Sequence, residues 1–130
     1  MSIRNEIKKI LVVDDDPTLT ALVEKFLKKN GYEVTAVTEA VDGLEHAMKN
    51  DPDLIILDIM MPIINGFNFC KLLKQEKETE NIPILILTSR NQIKDIEIGL
   101  EMGADAYLVK PLNTTELLKT IKVIESSRKQ

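Results

Sequence analysis

Acidic residues directly follow two apolar segments of the chain, and they are the first candidates for chemistry. Asp14, Asp15 and Asp16 come after the run "ILVV", and Asp58 comes after "LIIL". At about 4 Å two like charges repel by roughly 4 kcal/mol at an effective dielectric near 20, so clustered carboxylates need a counter-charge. Mg²⁺ is a natural complement, because it binds through oxygen, usually to one or two carboxylates, waters and a phosphate oxygen.

Two other apolar runs end on hydroxyls and on an ammonium. Thr88 and Ser89 follow "ILIL", and Lys110 follows "AYLV". The carboxyl ends of parallel strands share one edge of the sheet, where open α/β sheets bind ligands. We therefore expect all these side chains to converge there.

Such a set of groups is suited to phosphoryl transfer, in which catalysis is mostly positioning and charge neutralisation. Carboxylates serve as phosphoryl acceptors through aspartyl-phosphate chemistry. Asp58 is the best candidate for the acceptor, since Asp14 and Asp15 form a metal-binding pair opposite it. Asp16 precedes Pro17 and is interpreted instead as a helix cap.

Five apolar segments alternate with five amphipathic ones and would position these side chains. Four apolar runs are continuous, as in parallel strands covered on both faces. The segment "YEVTAV" alternates, which favours an edge strand. Helical spacing and end signals predict a first helix from Asp16-Pro17 to Asn30-Gly31, a third opening near Asn65, a fourth ending at Gly103 and a fifth capped by Asn113. Right-handed crossovers then favour an α/β fold with a parallel sheet and helices on both faces, in an order that spacing does not reveal.

Length and composition set the outer bounds on the function. The 130 residues predict a single domain over 1–130 with flexible ends at 1–7 and 126–130. The net charge of −4 gives no footprint for direct nucleic-acid binding or for an anionic membrane. One cysteine, Cys70, and one histidine, His46, make a zinc site improbable. No apolar run has the length of a signal-peptide core or a membrane span, so we expect a cytoplasmic protein.

Four motifs together resemble the receiver domain of bacterial two-component response regulators over nearly the whole chain. They are "ILVVDDDP", "DLIILDIMMPIINGF", "PILILTSR" and "GADAYLVKPL", in the family's order and at its spacing. The resemblance implies a flavodoxin-like, doubly wound (βα)5 fold whose five-stranded parallel sheet has the order 2-1-3-4-5. It also implies a phosphoprotein that catalyses only its own phosphorylation and autodephosphorylation, and so is not an enzyme with a separate substrate.

The resemblance implies a role for each site residue. Asp58 would accept a phosphoryl group from a phosphohistidine, and Mg²⁺ would be arranged by Asp14, Asp15, Asp58 and the backbone carbonyl of Met60. Thr88 would hydrogen-bond a phosphoryl oxygen, and Lys110 would pair with the phosphoryl charge. Two further features are implied, a switch formed by Thr88 and Tyr107 and a cis peptide bond at Lys110-Pro111.

The same resemblance implies the partners. The phosphoryl donor would be a histidine kinase or a histidine phosphotransfer protein. Phosphorylation would change the surface around the fourth helix, fifth strand and fifth helix, which would contact a downstream protein or a fused output domain. A homodimer formed on phosphorylation is left open.

Two positions depart from the commonest family pattern. Asn65-Gly66 stands where many receivers have Asp-Gly, and both pairs cap helices, so we expect little effect. Arg90, two residues after Thr88, is bulky and charged where a smaller residue is common. A side chain there can shield or direct an attacking water, so Arg90 bears on the lifetime of the phosphorylated state.

Two alternatives stand beside the receiver. "DDDPT" fits D-x-D-x-T and resembles the haloacid-dehalogenase-like phosphatases, with Asp14 as the nucleophile. That family has further acidic residues at the end of a strand after the lysine, whereas only Glu116 and Glu125 follow Lys110. The other alternative is a degenerate receiver that no longer takes phosphate. Against it, all five key positions of the family site are filled, by Asp14, Asp15, Asp58, Thr88 and Lys110.

Overall fold

Five strands alternate with five helices in the computed structural model, which describes residues 6–61 and 65–128. The strands and helices have these bounds: β1 Lys9–Val13, α1 Pro17–Lys29, β2 Glu33–Val37, α2 Ala40–Asn50, β3 Leu54–Leu57, α3 Gly66–Gln75, β4 Ile84–Thr88, α4 Ile93–Glu101, β5 Ala106–Val109 and α5 Thr114–Ser127. The alternation confirms the predicted α/β class.

All the strands pair in parallel in the order β2-β1-β3-β4-β5, the order that the family resemblance implied. Val13 of β1 lies opposite Leu57 of β3, and Thr88 of β4 lies opposite Val109 of β5. This register brings the residues that follow the strands to one edge of the sheet.

Alternate side chains of the central strands enter two separate cores, one on each face of the sheet. Successive residues of a strand point to opposite faces, so a continuous apolar run supplies both cores. One core contains residues of α2 and α3 together with Leu11, Val13, Ile55, Leu57, Ile84 and Ile86. The other contains residues of α1 and α5 together with Ile10, Val12, Leu54, Ile56, Leu85 and Leu87. Burying each such side chain contributes about 1.5–3 kcal/mol, which fixes the sheet that carries the site.

β5 is less covered than its sequence predicted. Its run "AYLV" is continuous, like those of the covered central strands, yet all four residues of β5 are only half-buried. The cause is the strand order, since β5 forms one edge of the sheet and β2 forms the other. The alternating β2 segment was correctly interpreted as an edge strand.

Helix ends follow the predicted signals. Asp16 caps α1, its Oδ1 accepting hydrogen bonds from the amides of Thr18 (3.0 Å) and Leu19 (3.3 Å). The side chain of Asn65 accepts from the Asn68 amide at the start of α3 (3.0 Å). At the start of α5, Asn113 accepts from the Glu116 amide (3.0 Å). The cap role predicted for Asp16 is therefore confirmed, and Asn65 caps α3 as expected despite its departure from the family pattern.

Helical spacing predicts an apolar face of Ile93, Ile96, Leu100 and Met102 for the fourth helix, but the residues that α4 buries are others. Ile93 and Leu100 are 75% and 48% exposed, whereas Asp95 and Gly99 are buried. Gly99 lies against β5, where an added Cβ would be 3.1 Å from Cδ2 of Tyr107. The close approach of α4 to β5 is therefore made by a small residue, which is not part of the predicted apolar face.

The predicted flexible ends are in part packed onto the domain. Ile7 is buried, and its amide donates to Oε2 of Glu125 on α5 (2.7 Å). α5 continues to Ser127, and Arg128 donates from Nη1 to the carbonyl of Asp53 (3.1 Å). The flexibility predicted for residues 7 and 126–128 stays a prediction, and residues 1–5 and 129–130 lie outside the described residues. None of the helices described is long and apolar enough to cross a membrane.

Candidate functional site

Three carboxylates meet at the carboxyl edge of the sheet. Asp14 follows β1 and Asp58 follows β3, and the amide of Asp58 donates to the carbonyl of Val13 (3.0 Å), which extends the strand pairing by one residue. Asp14, Asp15 and Asp58 each offer an oxygen within 4.8 Å of the others. Asp14 and Asp58 are buried and Asp15 is exposed, so the group is open to solvent on one side.

Backbone amides fix the orientation of the two buried carboxylates. The Asp16 amide donates to Oδ1 of Asp14 (3.0 Å), and the Met60 amide donates to Oδ1 of Asp58 (2.8 Å). Each carboxylate therefore has one oxygen held by the chain just after it. Its second oxygen remains available to another group.

Lys110 occupies both of these second oxygens. Its Nζ lies 2.9 Å from Oδ2 of Asp14 and 2.8 Å from Oδ2 of Asp58. Its own amide donates to the carbonyl of Thr88 (2.7 Å), which places the residue at the end of β5, and the Lys110-Pro111 peptide bond is cis as expected. Sheet pairing thus brings together three residues that are far apart in the sequence.

The charges at this edge do not balance. Burial raises the pKa of the Asp14 carboxyl, and the charge of Asp58 raises it further, more than the Asp16 amide and Lys110 lower it. Burial lowers the pKa of Lys110, but the hydrogen bonds and charges of Asp58 and Asp14 outweigh it, so that pKa is raised. The pKa of Asp14 thus rises mainly through burial, whereas the pKa of Lys110 rises because its single ammonium faces two carboxylates. An excess of negative charge remains that a divalent cation would neutralise.

The donor atoms fit a hard cation. Every side chain in the group is a carboxylate, the ligand type that Mg²⁺ prefers, and the exposed side leaves room for waters. The hydrogen bond that the Met60 amide donates to Asp58 brings the Met60 backbone beside the carboxylates. The predicted use of the Met60 carbonyl as a ligand stays a prediction.

The two predicted switch residues are linked through a third residue rather than directly. Thr88 is fully buried, and its Oγ1 accepts from the Arg90 amide at 3.5 Å. The Tyr107 hydroxyl donates to the Arg90 carbonyl (2.8 Å). Burial raises the pKa of the Tyr107 hydroxyl, as do the charges of Asp95 and, less strongly, Asp58, while Arg90 lowers it. Within residues 6–61 and 65–128, no hydrogen bond joins Thr88 to the three carboxylates.

One ion pair near the site was missed by the sequence analysis. Nη2 and Nε of Arg90 lie 2.8 Å and 3.1 Å from Oδ1 of Asp95, which is 3% exposed. The two residues are five apart across a loop and a helix start, a spacing that carries no recognised signal. A hydroxyl after β4 could also cap the next helix, but the N-cap residue of α4 is Gln92. The Ser89 hydroxyl lies 3.3 Å from Sδ of Met60.

Comparison with known proteins supports one family. The sequence model of one protein family, the response regulator receiver domain, matches residues 10–122. The chain is 39% identical over 116 residues to the DNA-binding dual master transcriptional regulator RpaA of Synechocystis sp., covering 89% of this chain and 48% of that protein. It is 40% identical over 117 residues to the alkaline phosphatase synthesis transcriptional regulatory protein PhoP of Bacillus subtilis, covering 90% of this chain and 48% of that protein. The chain thus spans about half the length of the curated relatives it matches.

Solved structures agree with this assignment. Chemotaxis protein CheY4 of Vibrio cholerae superposes with a TM-score of 0.86 at 34% identity, covering 92% of this chain and 99% of that one. A response regulator structure from Chloroflexus aurantiacus superposes with a TM-score of 0.87 at 36% identity, covering 93% of this chain and 99% of that one. These matches do not support the haloacid-dehalogenase-like alternative with Asp14 as nucleophile. On the family match, the shared fold and these relatives, the chain belongs to the response regulator receiver domain family.

Proposed function

We propose that Asp58 accepts a phosphoryl group from the phosphohistidine of a histidine kinase or a histidine phosphotransfer protein. The observation that carries the proposal is the position of Asp58, whose carboxylate is shared between Lys110 at 2.8 Å and a cluster with Asp14 and Asp15. In the transfer, an oxygen of Asp58 forms a bond to phosphorus while the bond from phosphorus to the imidazole nitrogen breaks. The histidine leaves as neutral imidazole after taking up a proton.

Mg²⁺ would be held by Asp14, Asp15, Asp58 and the Met60 carbonyl. When bound, it would neutralise the charge of the phosphoryl oxygens during transfer. The Met60 amide keeps one Asp58 oxygen in place, so the other faces Lys110 and is available as the acceptor. The carboxylates' unbalanced charge supports this assignment.

Lys110 would serve the phosphorylated state as well as the free one. Its ammonium now bridges Asp14 and Asp58. Phosphorylation adds about two negative charges and three acceptor oxygens, which would draw the ammonium to the phosphoryl group. Lys110 would then stabilise the product of the transfer, with its orientation set by its place at the end of β5.

Thr88 and Tyr107 would carry the change away from Asp58. A phosphoryl oxygen would attract the Thr88 hydroxyl, whose hydrogen bond from the Arg90 amide is long, at 3.5 Å. Movement of Thr88 would open space for the ring of Tyr107, changing the surface formed by α4, β5 and α5. The exposure of Ile93 and Leu100 on α4 supports this surface as the place of contact with a downstream protein, a fused output domain or a second copy.

The wider setting follows from the relatives. RpaA and PhoP are transcriptional regulators by name. We therefore propose that the output of this receiver is transcriptional and is reached through another domain or protein. The net charge of −4 does not favour nucleic-acid binding by the receiver itself. A cytoplasmic location and the absence of turnover of any separate substrate belong to the same proposal.

Incubation with Mg²⁺ and acetyl phosphate, followed by intact mass measurement, tests it. The wild type is expected to gain one phosphoryl group, and Asp58→Asn to gain none. Asp14→Asn is expected to gain it slowly, because a metal ligand is lost. Repeated turnover of a phosphate ester, or no adduct with any donor, would contradict the proposal and favour the phosphatase or the degenerate receiver respectively.

A further inference from the structure

Arg90 connects three parts of the molecule that the proposed switch must move. Its amide contacts Oγ1 of Thr88, its carbonyl accepts from the Tyr107 hydroxyl, and its guanidinium is paired with Asp95 in the first turn of α4. One residue therefore joins the end of β4, the middle of β5 and the start of α4.

The ion pair is anchored at its Asp95 end. Asp95 is buried, and its position is fixed by α4, where its amide donates to the Gln92 carbonyl (3.0 Å). A buried carboxylate needs a counter-charge, and Arg90 provides it with two donors on one oxygen. Arg90 itself is 46% exposed at its side chain and lies in a loop, so it is the movable partner.

The Tyr107 ring is held on the same helix. It packs where Gly99 has no side chain, one turn after Asp95, and its hydroxyl reaches the Arg90 carbonyl. Displacing Arg90 would remove the acceptor of the Tyr107 hydroxyl. The loop and the ring are thus tied to α4 at neighbouring points.

Movement of Thr88 toward a phosphoryl group would pull on this arrangement. Arg90 is only two residues further along, so it must shift with Thr88, and its guanidinium would then be drawn from an Asp95 that α4 keeps in place. The ion pair opposes that movement.

We propose that the Arg90–Asp95 ion pair is a latch that holds the unphosphorylated conformation of the loop between β4 and α4, with Asp95 as the positioning residue. The inference rests on the proposed phosphorylation of Asp58. If the conformation that can be phosphorylated is a minor state, weakening the resting conformation raises the population of that minor state in proportion. Loss of the latch therefore speeds phosphorylation.

Phosphorylation rates with acetyl phosphate and Mg²⁺ test the latch. Asp95→Asn and Arg90→Gln are each expected to react about two- to fivefold faster than wild type, the range for a partly exposed ion pair. The double variant should be no faster than either single one, because both changes break the same interaction. Arg90→Lys should restore a rate near that of wild type. Glu97→Gln, which removes an exposed charge from the same helix, is the matched control and should leave the rate unchanged.

A second measurement does not depend on phosphorylation. In ¹³C-labelled, unphosphorylated protein, the ring signals of Tyr107 should move in Asp95→Asn and stay in place in Glu97→Gln, with Tyr32 as the internal reference. A wild type that takes no phosphoryl group would defeat the proposed function, yet this spectrum would still test the latch. Unmoved Tyr107 signals in Asp95→Asn would overturn the latch. Opposite effects of Arg90→Gln and Asp95→Asn on the phosphorylation rate would also overturn it, because they would indicate that Arg90 acts directly on the phosphoryl group.

Discussion

Neighbouring aspartates in "DDD" differ in role because the chain turns between them. Asp14 follows β1 and is buried beside Asp58, Asp15 completes the cluster from its exposed side, and Asp16 caps α1. Residue type and spacing predicted this division, since a proline after Asp16 marks a helix start.

A pair of variants tests the division. Asp15→Asn should leave the free energy of unfolding within about 0.5 kcal/mol of wild type, but slow Mg²⁺-dependent phosphorylation by about tenfold or more, because a proposed metal ligand is weakened. Asp16→Ala should cost about 1 kcal/mol of stability through the lost cap, with the rate unchanged. Chemical denaturation and phosphorylation assays on both proteins check this, and a reversed pattern would refute it.

Cys70 is a buried thiol rather than a reactive one. It is fully buried on α3, and burial raises its pKa from 9.0 to about 12. The folded state therefore holds the thiol proton more tightly than the unfolded state. The stability that this contributes is fully present below pH 9 and is lost as pH rises toward the folded pKa.

The free energy of unfolding should accordingly fall more steeply above pH 9 in wild type than in Cys70→Ala, by up to about 1.4 kcal/mol per pH unit. Urea denaturation at a series of pH values measures both slopes, and the difference between them isolates the thiol, because every other titratable group is present in both proteins. Equal slopes would show that the thiol does not titrate in this way.

At the scale of elements, the sequence predicted strands and caps better than helix faces. Continuous apolar runs located β1, β3 and β4 because both faces of those strands are covered. The same pattern in β5 did not reveal an edge, since edge position depends on which strands pair across the whole sheet. For α4, Ile93 and Leu100 matched the helical period, yet the buried face carries Asp95 and Gly99. Contacts with Arg90 and Tyr107 decided that face, and no local pattern encodes them.

The approach of α3 to the site depends on Gly66. An added Cβ there would overlap the Cα of Ile59, the residue after Asp58, and the Gly66 amide donates to the Ile59 carbonyl (3.0 Å). The backbone beside Asp58 is thus in direct contact with the start of α3.

Gly66→Ala should therefore destabilise the fold by about 1–3 kcal/mol, because backbone rather than a flexible side chain must move. Asn68→Ala, an exposed change in the same helix, should stay within about 0.5 kcal/mol of wild type. Denaturation of both variants gives the comparison, and a neutral Gly66→Ala would contradict the packing described.

Across the whole molecule, metal binding and folding should be linked. A cation that binds only the folded state raises the free energy of unfolding, by about 1.4 kcal/mol when its concentration is ten times the dissociation constant. Mg²⁺ should raise the wild-type melting temperature, and removing it with a chelator should reverse the rise. Asp15→Asn at the same ionic strength should respond far less. An equal response of both proteins would place the binding elsewhere.

The family assignment, the sheet order and the meeting of Asp14, Asp58 and Lys110 at one edge lead to the same central claim, that Asp58 is the phosphoryl acceptor. Locating the phosphoryl group tests this most directly. After reaction with acetyl phosphate and Mg²⁺, borohydride reduction converts an aspartyl phosphate to homoserine, and peptide mass spectrometry identifies the modified residue. The result predicted is homoserine at position 58 alone. Homoserine at position 14 or 15, with Asp58 unchanged, would contradict the account.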